Sequence, residues 1–428
     1  LFYKLQFDDT ILAVHLLPKP RGSGCPPAAL LPMIERDYLV VGAGSAGVSV
    51  CEGIRQYDKR GKLMLVGNEV HPPYVRRSLS KDFLSDKTFA VPGTFHHPLT
   101  WYDEQKIDLR LNTVVTQFNI DRRLAVLSNG QTVEFKKACL CTGSRVIRPP
   151  VAGTNLGNII YLRTIGDALA LREMAAAEGS VVVVGSGYIA VEAAAALRQA
   201  KCKVSLLTRE SALWAQLVDA DTAAWLTNLF KHHGIALHMQ ESLNGFEGKT
   251  AIRNIQTKNG NRYPAALALV AVGMEMNLEL VRGTPLSSPR GTPVNEFLET
   301  DEKGIYAAGD IALYPDRIFG GVRTVDHWDN ACQQGLTAGA NMTGKKRQRY
   351  DHVPFYGSQV FDLEIQFIGD FSAGPPVRFE LEGSREKKSF VVRHFVGEKL
   401  RAAFLCNRTV DEGEEIQKTI RAAFVTGK

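Results

Sequence analysis

The sequence predicts an α/β protein of two doubly wound, parallel-sheet units followed by a smaller C-terminal α+β domain with an antiparallel sheet. Three observations carry this. Two are apolar runs that each break into a glycine-rich turn: Tyr38-Leu-Val-Val-Gly42-Ala43-Gly44-Ser45-Ala46-Gly47 and Val181-Val-Val-Val-Gly185-Ser186-Gly187-Tyr188-Ile189-Ala190. The third is the change beyond Tyr350 to short alternating segments at 365–369, 389–393 and 400–405, closed by a helical stretch over 411–424.

Each β-branched run suits a buried parallel strand, and glycine lets the chain turn sharply towards a pyrophosphate at the N-terminus of the next helix. A lone turn of this kind also serves packing alone. Here, however, both turns lead through a helical segment into a second strand, over 61–69 after the first and 203–210 after the second. Both therefore read as Rossmann-like dinucleotide-binding units. Two such units imply two dinucleotides, and the natural pair is a tightly held flavin and a diffusible nicotinamide that reduces it.

At 428 residues the chain has room for about three domains, and 45% hydrophobic with 22% charged residues is ordinary for folded cores. No apolar run approaches the roughly 20 residues that span a bilayer. Seven cysteines, an odd number, fall mostly in predicted strands and helices (Cys51, Cys139, Cys141, Cys202, Cys332). They read as reduced core thiols in a reducing compartment, the cytoplasm or an organelle matrix. No metal-ligand spacing occurs. The net charge of +6 reads as a slight excess spread over the surface, and the run Lys345-Lys-Arg-Gln-Arg349 as a solvated loop after a helix end at Gly344.

Residues 1–36 are broken by Pro18, Pro20, Pro26 and Pro27 and are left unassigned; no secretory signal is read in them. Further on, Lys137-Ala-Cys-Leu-Cys141-Thr142-Gly143 is a buried strand ending in a tight turn, Arg148-Pro-Pro150 marks a linker, and 267–273 is a strand ending at Gly273. Gly304-Ile-Tyr-Ala-Ala-Gly309-Asp310 delivers an acid at a strand's C-terminal end, where ligands of open α/β sheets bind. A helix is expected from about Asp326 to Met342.

These landmarks together resemble the flavoprotein pyridine nucleotide-disulfide oxidoreductases with the glutathione-reductase-like fold, over roughly residues 37–410. Within that family, Pro73-Tyr74-Val-Arg76-Arg-Ser-Leu79-Ser80-Lys81 is similar to the P-Y-x-R-P-P-L-S-K segment of the apoptosis-inducing-factor, ferredoxin-reductase and monodehydroascorbate-reductase branch. The same holds for Val325-Asp-His327-Trp328-Asp-Asn-Ala and for Val353-Pro-Phe-Tyr356-Gly-Ser358, against that branch's P-Y-F-x-S. The resemblance implies an FAD-binding domain at 37–150 and 274–345, an NAD(P)-binding domain at 151–273 and an interface-type domain at 346–428. One departure matters: where disulfide and peroxide reductases carry a redox cysteine, the segment 74–81 has none. Electrons would then leave the flavin directly.

The resemblance also implies roles. Gly42, Ala43, Gly44, Ser45, Ala46 and Gly47 would cradle the FAD pyrophosphate, with Glu69, or Asn68 and Glu69 together, on the adenosine ribose. Arg76 and Arg163 would contact FAD, Val115 would meet adenine through its backbone, Thr142 and Gly143 would turn beneath the flavin, and Asp310 would hold the ribityl hydroxyls. Lys81 would place a cation near flavin N5 and O4, and Glu192 would pair with it and hold it charged. The helix at His327 and Trp328 would aim its positive end at the flavin, with Trp328 or Tyr356 shielding the ring. Gly185, Ser186, Gly187, Tyr188, Ile189 and Gly273 would surround the nicotinamide coenzyme. Arg209 leans the choice towards NADPH, whereas Glu210 turned inward would favour NADH.

The function expected is therefore an FAD-dependent NAD(P)H oxidoreductase that hands electrons to an external acceptor such as a ferredoxin, a quinone, oxygen or an ascorbyl-type radical. The alternative is a redox-signalling protein, like the apoptosis-inducing factors, whose reduced flavin controls partner or nucleic-acid binding. Either would be a monomer or a homodimer.

Overall fold

The computed structural model describes residues 32–372 and 377–425; the unassigned stretch up to residue 31, Cys25 included, lies outside them. The first sheet opens with β1 (Ile34–Val41), which turns into helix α1 (Ser45–Tyr57) and returns as β2 (Leu63–Val66). β1 starts before the boundary expected at 37, because Ile34, Glu35 and Arg36 already pair with Val133, Glu134 and Phe135. Short helices α2 (Asp82–Ser85) and α3 (Leu99–Glu104) precede β3 (Ile107–Arg110). Then follow β4 (Val115–Asn119), β5 (Leu124–Leu127) and β6 (Thr132–Leu140), in the sheet order β3-β2-β1-β6-β5-β4. Leu39, Val40, Met64, Leu65, Ala138 and Cys139 are fully buried, as continuous apolar strands covered on both faces must be.

After β7 (Ser144–Val146) the second unit runs through β8 (Ile159–Ile160), α4 (Ile165–Glu178), β9 (Ser180–Val184) and α5 (Tyr188–Gln199). It continues with β10 (Lys203–Leu207), α6 (Ala220–His232) and β11 (Ala236–His238). An antiparallel excursion, β12 (Leu243–Gly248), β13 (Ile252–Thr257) and β14 (Arg262–Pro264), intervenes before β15 (Ala268–Val270) completes the parallel order β11-β10-β9-β15-β8.

The chain then returns to the first unit. β16 (Met274–Met276) lies antiparallel to β7, and β17 (Thr292–Pro293) leads to β18 (Ile305–Ala307), which pairs in parallel with β6 at Ala138, Cys139 and Leu140. Because β18 runs with β1 and β6, Asp310 emerges at the same sheet edge as the first glycine turn. Past β19 (Ala312–Pro315) and β20 (Val322–Arg323), helix α7 (Trp328–Met342) packs on α1. Their backbones touch: a Cβ on Gly53 would lie 2.4 Å from the Leu336 carbonyl oxygen, and one on Gly339 2.2 Å from that of Val50.

The C-terminal sheet is wholly antiparallel, formed by β21 (Phe355–Val360), β22 (Leu363–Gly369), β23 (Arg378–Ser384), β24 (Ser389–Val396) and β25 (Lys399–Cys406) in the order β21-β22-β25-β24-β23. Helix α8 (Val410–Val425) covers it, seating Ile416 and Ile420 in a core with Ile368, Val391 and Leu405. The expected segments fall in β22, β24 and β25. β23, unanticipated, is an exposed edge strand whose alternating Phe379 and Leu381 face solvent. Among the described residues no helix is long and apolar enough to cross a membrane, and all six cysteines are free thiols. The run from Lys345 is an exposed loop in which Lys345 Nζ donates to the Tyr57 carbonyl (3.0 Å).

Candidate active site between the two glycine turns

Within each turn the glycines have different causes. Gly42 (φ +113°) and Gly185 (φ +149°) have positive φ, and a Cβ there would lie 2.1 Å from the Cys141 carbonyl oxygen and 2.2 Å from that of Ala271. The fold itself demands these two. Gly44 (φ −89°, ψ −170°) and Gly187 (φ −78°, ψ −179°) are extended, as any residue can be, and a Cβ on either would meet no protein atom within 4 Å. The fold itself demands no glycine at these two positions. Helices α1 and α5, which start at these turns, lack a side-chain cap and any acid in the first turn. By contrast, α4 carries a Thr164–Asp167 capping box and α6 is capped by Asp219. Free N–H groups and an uncovered positive helix end at both turns fit two pyrophosphates.

A line of polar groups crosses the first unit's ligand edge. Glu69 accepts from Tyr74 Oη (2.7 Å) and pairs with Arg76, whose Nη1 also reaches the Arg163 carbonyl (3.1 Å). Arg163 Nη2 lies 3.4 Å from Asp310 and donates to Ser144 Oγ (3.2 Å); Ser144 in turn donates to Asp310. Burial, together with the charge of Arg76, pulls the Arg163 pKa down, while for Arg76 the effect of burial is outweighed by Tyr74 and Glu69, which raise it. Glu69, expected as a ribose acceptor, is thus already half of an ion pair with another expected site residue; Asn68 beside it is exposed. Val115 is buried at the start of β4. Thr142 is held from both sides by Asn277, its Oγ1 donating to the Asn277 carbonyl (2.7 Å) and its own carbonyl accepting from Asn277 Nδ2 (2.9 Å). Gly143 (φ +64°) faces Arg163 and Asp310.

Lys81 and Glu192, over a hundred positions apart, meet at 3.0 Å, with side chains 9% and 1% exposed. Three hydroxyls join them on the carboxylate: Ser80 Oγ (2.5 Å), Tyr356 Oη (2.5 Å) and Ser358 Oγ (2.7 Å). Nearby, the Tyr188 ring lies 4.0 Å from that of Tyr356 and 5.7 Å from that of His327, the residue preceding α7. Trp328 keeps other company, between the Arg77 guanidinium (4.5 Å) and the parallel His96 ring (6.3 Å). Asp329 sits in the first turn of α7, bonded to His352. At the second unit, Gly273 (φ +129°) follows β15, Arg209 is 72% exposed, and its Nε meets Glu210 at 3.0 Å.

The turn from Arg76 to Ser80 and its neighbour Lys81 hold no thiol. Cys139 and Cys141 do share one face of β6 and the following turn, with Sγ atoms 3.6 Å apart, but both are buried, and burial pushes Cys139 well above the ordinary thiol range. Among the described residues no group of three or more His, Cys, Asp or Glu could hold a metal. Ser80 and Ser358 stand inside the quoted motifs but were given no role, and Ser144, Asn277 and His96, whose Nε2 lies 2.9 Å from Ser45 Oγ, carry no spacing signal of their own.

Burial, reinforced by His97 and Arg77, takes His96 down to about 4, and burial alone takes His394 in β24 to about 4. Both pKa values are depressed in the fold, so the stability they confer is present above about 6.5 and is lost as pH falls towards 4. Each should cost about 2 kcal/mol between pH 7 and pH 5. Urea unfolding of His394→Phe should show a correspondingly shallower loss over that interval; an unchanged slope would contradict the assignment.

The pyridine nucleotide-disulphide oxidoreductase family matches residues 36–335. The peroxisomal monodehydroascorbate reductase 4 of Arabidopsis thaliana is 31% identical over 402 residues, covering 89% of this chain and 81% of that protein. Putidaredoxin reductase of Pseudomonas putida is 29% identical over 387 residues, covering 89% and 91%. The reductase in the covalent putidaredoxin reductase–putidaredoxin complex superposes with a TM-score of 0.85 at 27% identity, covering 91% of this chain and 93% of that one. By these likenesses, the chain belongs to the pyridine nucleotide-disulphide oxidoreductase family and is an FAD-dependent NAD(P)H oxidoreductase.

Proposed function

We propose that the chain takes reducing equivalents from NAD(P)H onto FAD and delivers them, with no redox-active disulfide in between, to a ferredoxin-type protein or a small acceptor such as an organic radical. The observation that carries this is the buried Lys81–Glu192 pair in a segment without cysteine. FAD, when bound, supplies hydride acceptance and the onward release of electrons. In this reading the Gly44 turn holds its pyrophosphate, and Glu69, Arg76, Arg163 and Asp310 line its sugar and ribityl chain. The Gly187 turn holds the nicotinamide coenzyme. Lys81 presents a positive charge that favours the electron-rich reduced ring, and Glu192 keeps that charge in place.

The relatives named above act, by their names, on monodehydroascorbate and on putidaredoxin, which supports an acceptor of one of these two kinds. The purified protein should be yellow and should bleach anaerobically on adding NADPH or NADH. Steady-state turnover with ferredoxins, quinones, monodehydroascorbate and oxygen then identifies the acceptor; a colourless protein that takes up no flavin contradicts the proposal. The free thiols suit a reducing compartment, cytoplasm or organelle matrix.

Arg209, exposed and able to swing from Glu210 to a 2′-phosphate, favours NADPH. Arg209→Ala should lower the NADPH-to-NADH ratio of flavin reduction rates about tenfold. A ratio that does not move removes Arg209 from coenzyme choice.

A further inference from the structure

Glu192 is the point where three segments distant in sequence meet. Its Oε1 accepts from Tyr356 Oη (2.5 Å) and Ser358 Oγ (2.7 Å) and lies 3.0 Å from Lys81 Nζ; the other oxygen, Oε2, accepts from Ser80 Oγ (2.5 Å). A carboxylate offers about four lone-pair sites. Four donors converge on it, three on Oε1 and one on Oε2, and two of the four come from β21 of the C-terminal sheet. Burial, and then the Glu192 charge, holds the Tyr356 phenol well above its ordinary range, so it stays a proton donor. Lys81 Nζ also donates to the Arg77 carbonyl (3.2 Å) and lies 5.4 Å from the centre of the Tyr356 ring. Tyr356 thus touches the pair twice, by its hydroxyl on the anion and by its ring beside the cation.

The field that an ion pair exerts on its surroundings depends on how fully the anion neutralises the cation. Hydroxyl donors on Oε1 take part of the carboxylate's charge and fix its plane, so the ammonium is held without being fully cancelled. Without them Lys81 would be the sole donor on Oε1, drawn inward and neutralised further.

We propose that Tyr356 and Ser358 are positioning residues for Lys81: through Glu192, the C-terminal domain sets where the ammonium sits and how much of its charge reaches the flavin site. This gives Tyr356 a role different from the ring-shielding one expected from sequence. It rests on the oxidoreductase reading, in which the Lys81 charge favours the reduced ring.

The test uses the FAD-loaded full chain with Tyr356→Phe, Ser358→Ala and the double variant. Phe keeps the ring against Tyr188 and beside Lys81 and removes only the hydroxyl. The flavin midpoint potential is measured by dye-equilibrated titration with dithionite, which needs no nicotinamide coenzyme. Tyr356→Phe should lower the reduced-to-oxidised ratio at fixed poise about threefold and the double variant about tenfold, the latter a shift of about 30 mV to more negative potential. Anaerobic reduction by NADPH should slow by similar factors with coenzyme affinity unchanged. A double variant with the wild-type potential overturns the proposal, even if it melts earlier. Should Tyr356→Phe fail to retain FAD, an unmoved potential in Ser358→Ala overturns it equally. If no coenzyme reduces the wild-type flavin, the oxidoreductase reading falls, while the dithionite titration still decides the positioning role.

Discussion

Replacing Gly187 by valine will leave a yellow, folded protein whose flavin neither NADPH nor NADH can bleach. The twin substitution Gly44→Val will give a folded protein without flavin. The reason is the same in both turns. The backbone there is extended and a Cβ meets no protein atom within 4 Å, so the fold loses almost nothing and the effect on unfolding should stay within about 1 kcal/mol. The ligand, by contrast, meets branched methyl groups where it needs bare N–H donors, and a thousandfold loss of affinity, about 4 kcal/mol, is expected. Gly42→Val and Gly185→Val make the contrast, because each would force a Cβ into a carbonyl oxygen and should unfold the protein instead. Melting curves, flavin absorbance and coenzyme titration separate the cases. Tight coenzyme binding to the Gly187 variant would remove the second turn from the site.

Removing the Lys81 ammonium should slow anaerobic flavin reduction by about 100- to 1000-fold while FAD stays bound, since a fixed charge beside a developing one contributes on that scale. Lys81→Ala alone leaves Glu192, 1% exposed, without its cation, and breaking a buried pair typically costs about 3–5 kcal/mol. The hydroxyls of Ser80, Tyr356 and Ser358 still satisfy the carboxylate and should hold the cost near the lower figure. Lys81→Met with Glu192→Gln removes both charges and separates the two effects: stability recovers and the rate does not. A wild-type rate in rapid-mixing experiments with either variant would exclude Lys81 from the chemistry.

What the sequence made legible was local. Both glycine turns, the strands around them and the strand ending at Asp310 are contiguous strings whose spacing states their geometry, and Lys81 and Glu192 were paired only because each sits in a family motif. Nothing local announces that Ser80, Tyr356 and Ser358 converge on Glu192, since they come from separate elements brought together by tertiary packing. The pairing of Glu69 with Arg76 was hidden for a different reason. Each was assigned to a ligand on its own, and only the turn of the chain past Tyr74 brings the two charges together. Strand β23 does alternate, as Arg378-Phe-Glu-Leu-Glu382, but with two apolar residues only, and both stand exposed on a sheet edge instead of entering a core.

The contact between α1 and α7 has a bearing on how the protein is made. About 270 residues separate the end of one helix from the start of the other, and a whole second unit is threaded between them. At a synthesis rate of roughly 5–20 residues per second, α1 waits on the ribosome for about 15–55 s before its glycine-lined flank can close against its mate. The first unit therefore cannot close ahead of the second, and the helper proteins that guard unfinished chains have that interval in which to act.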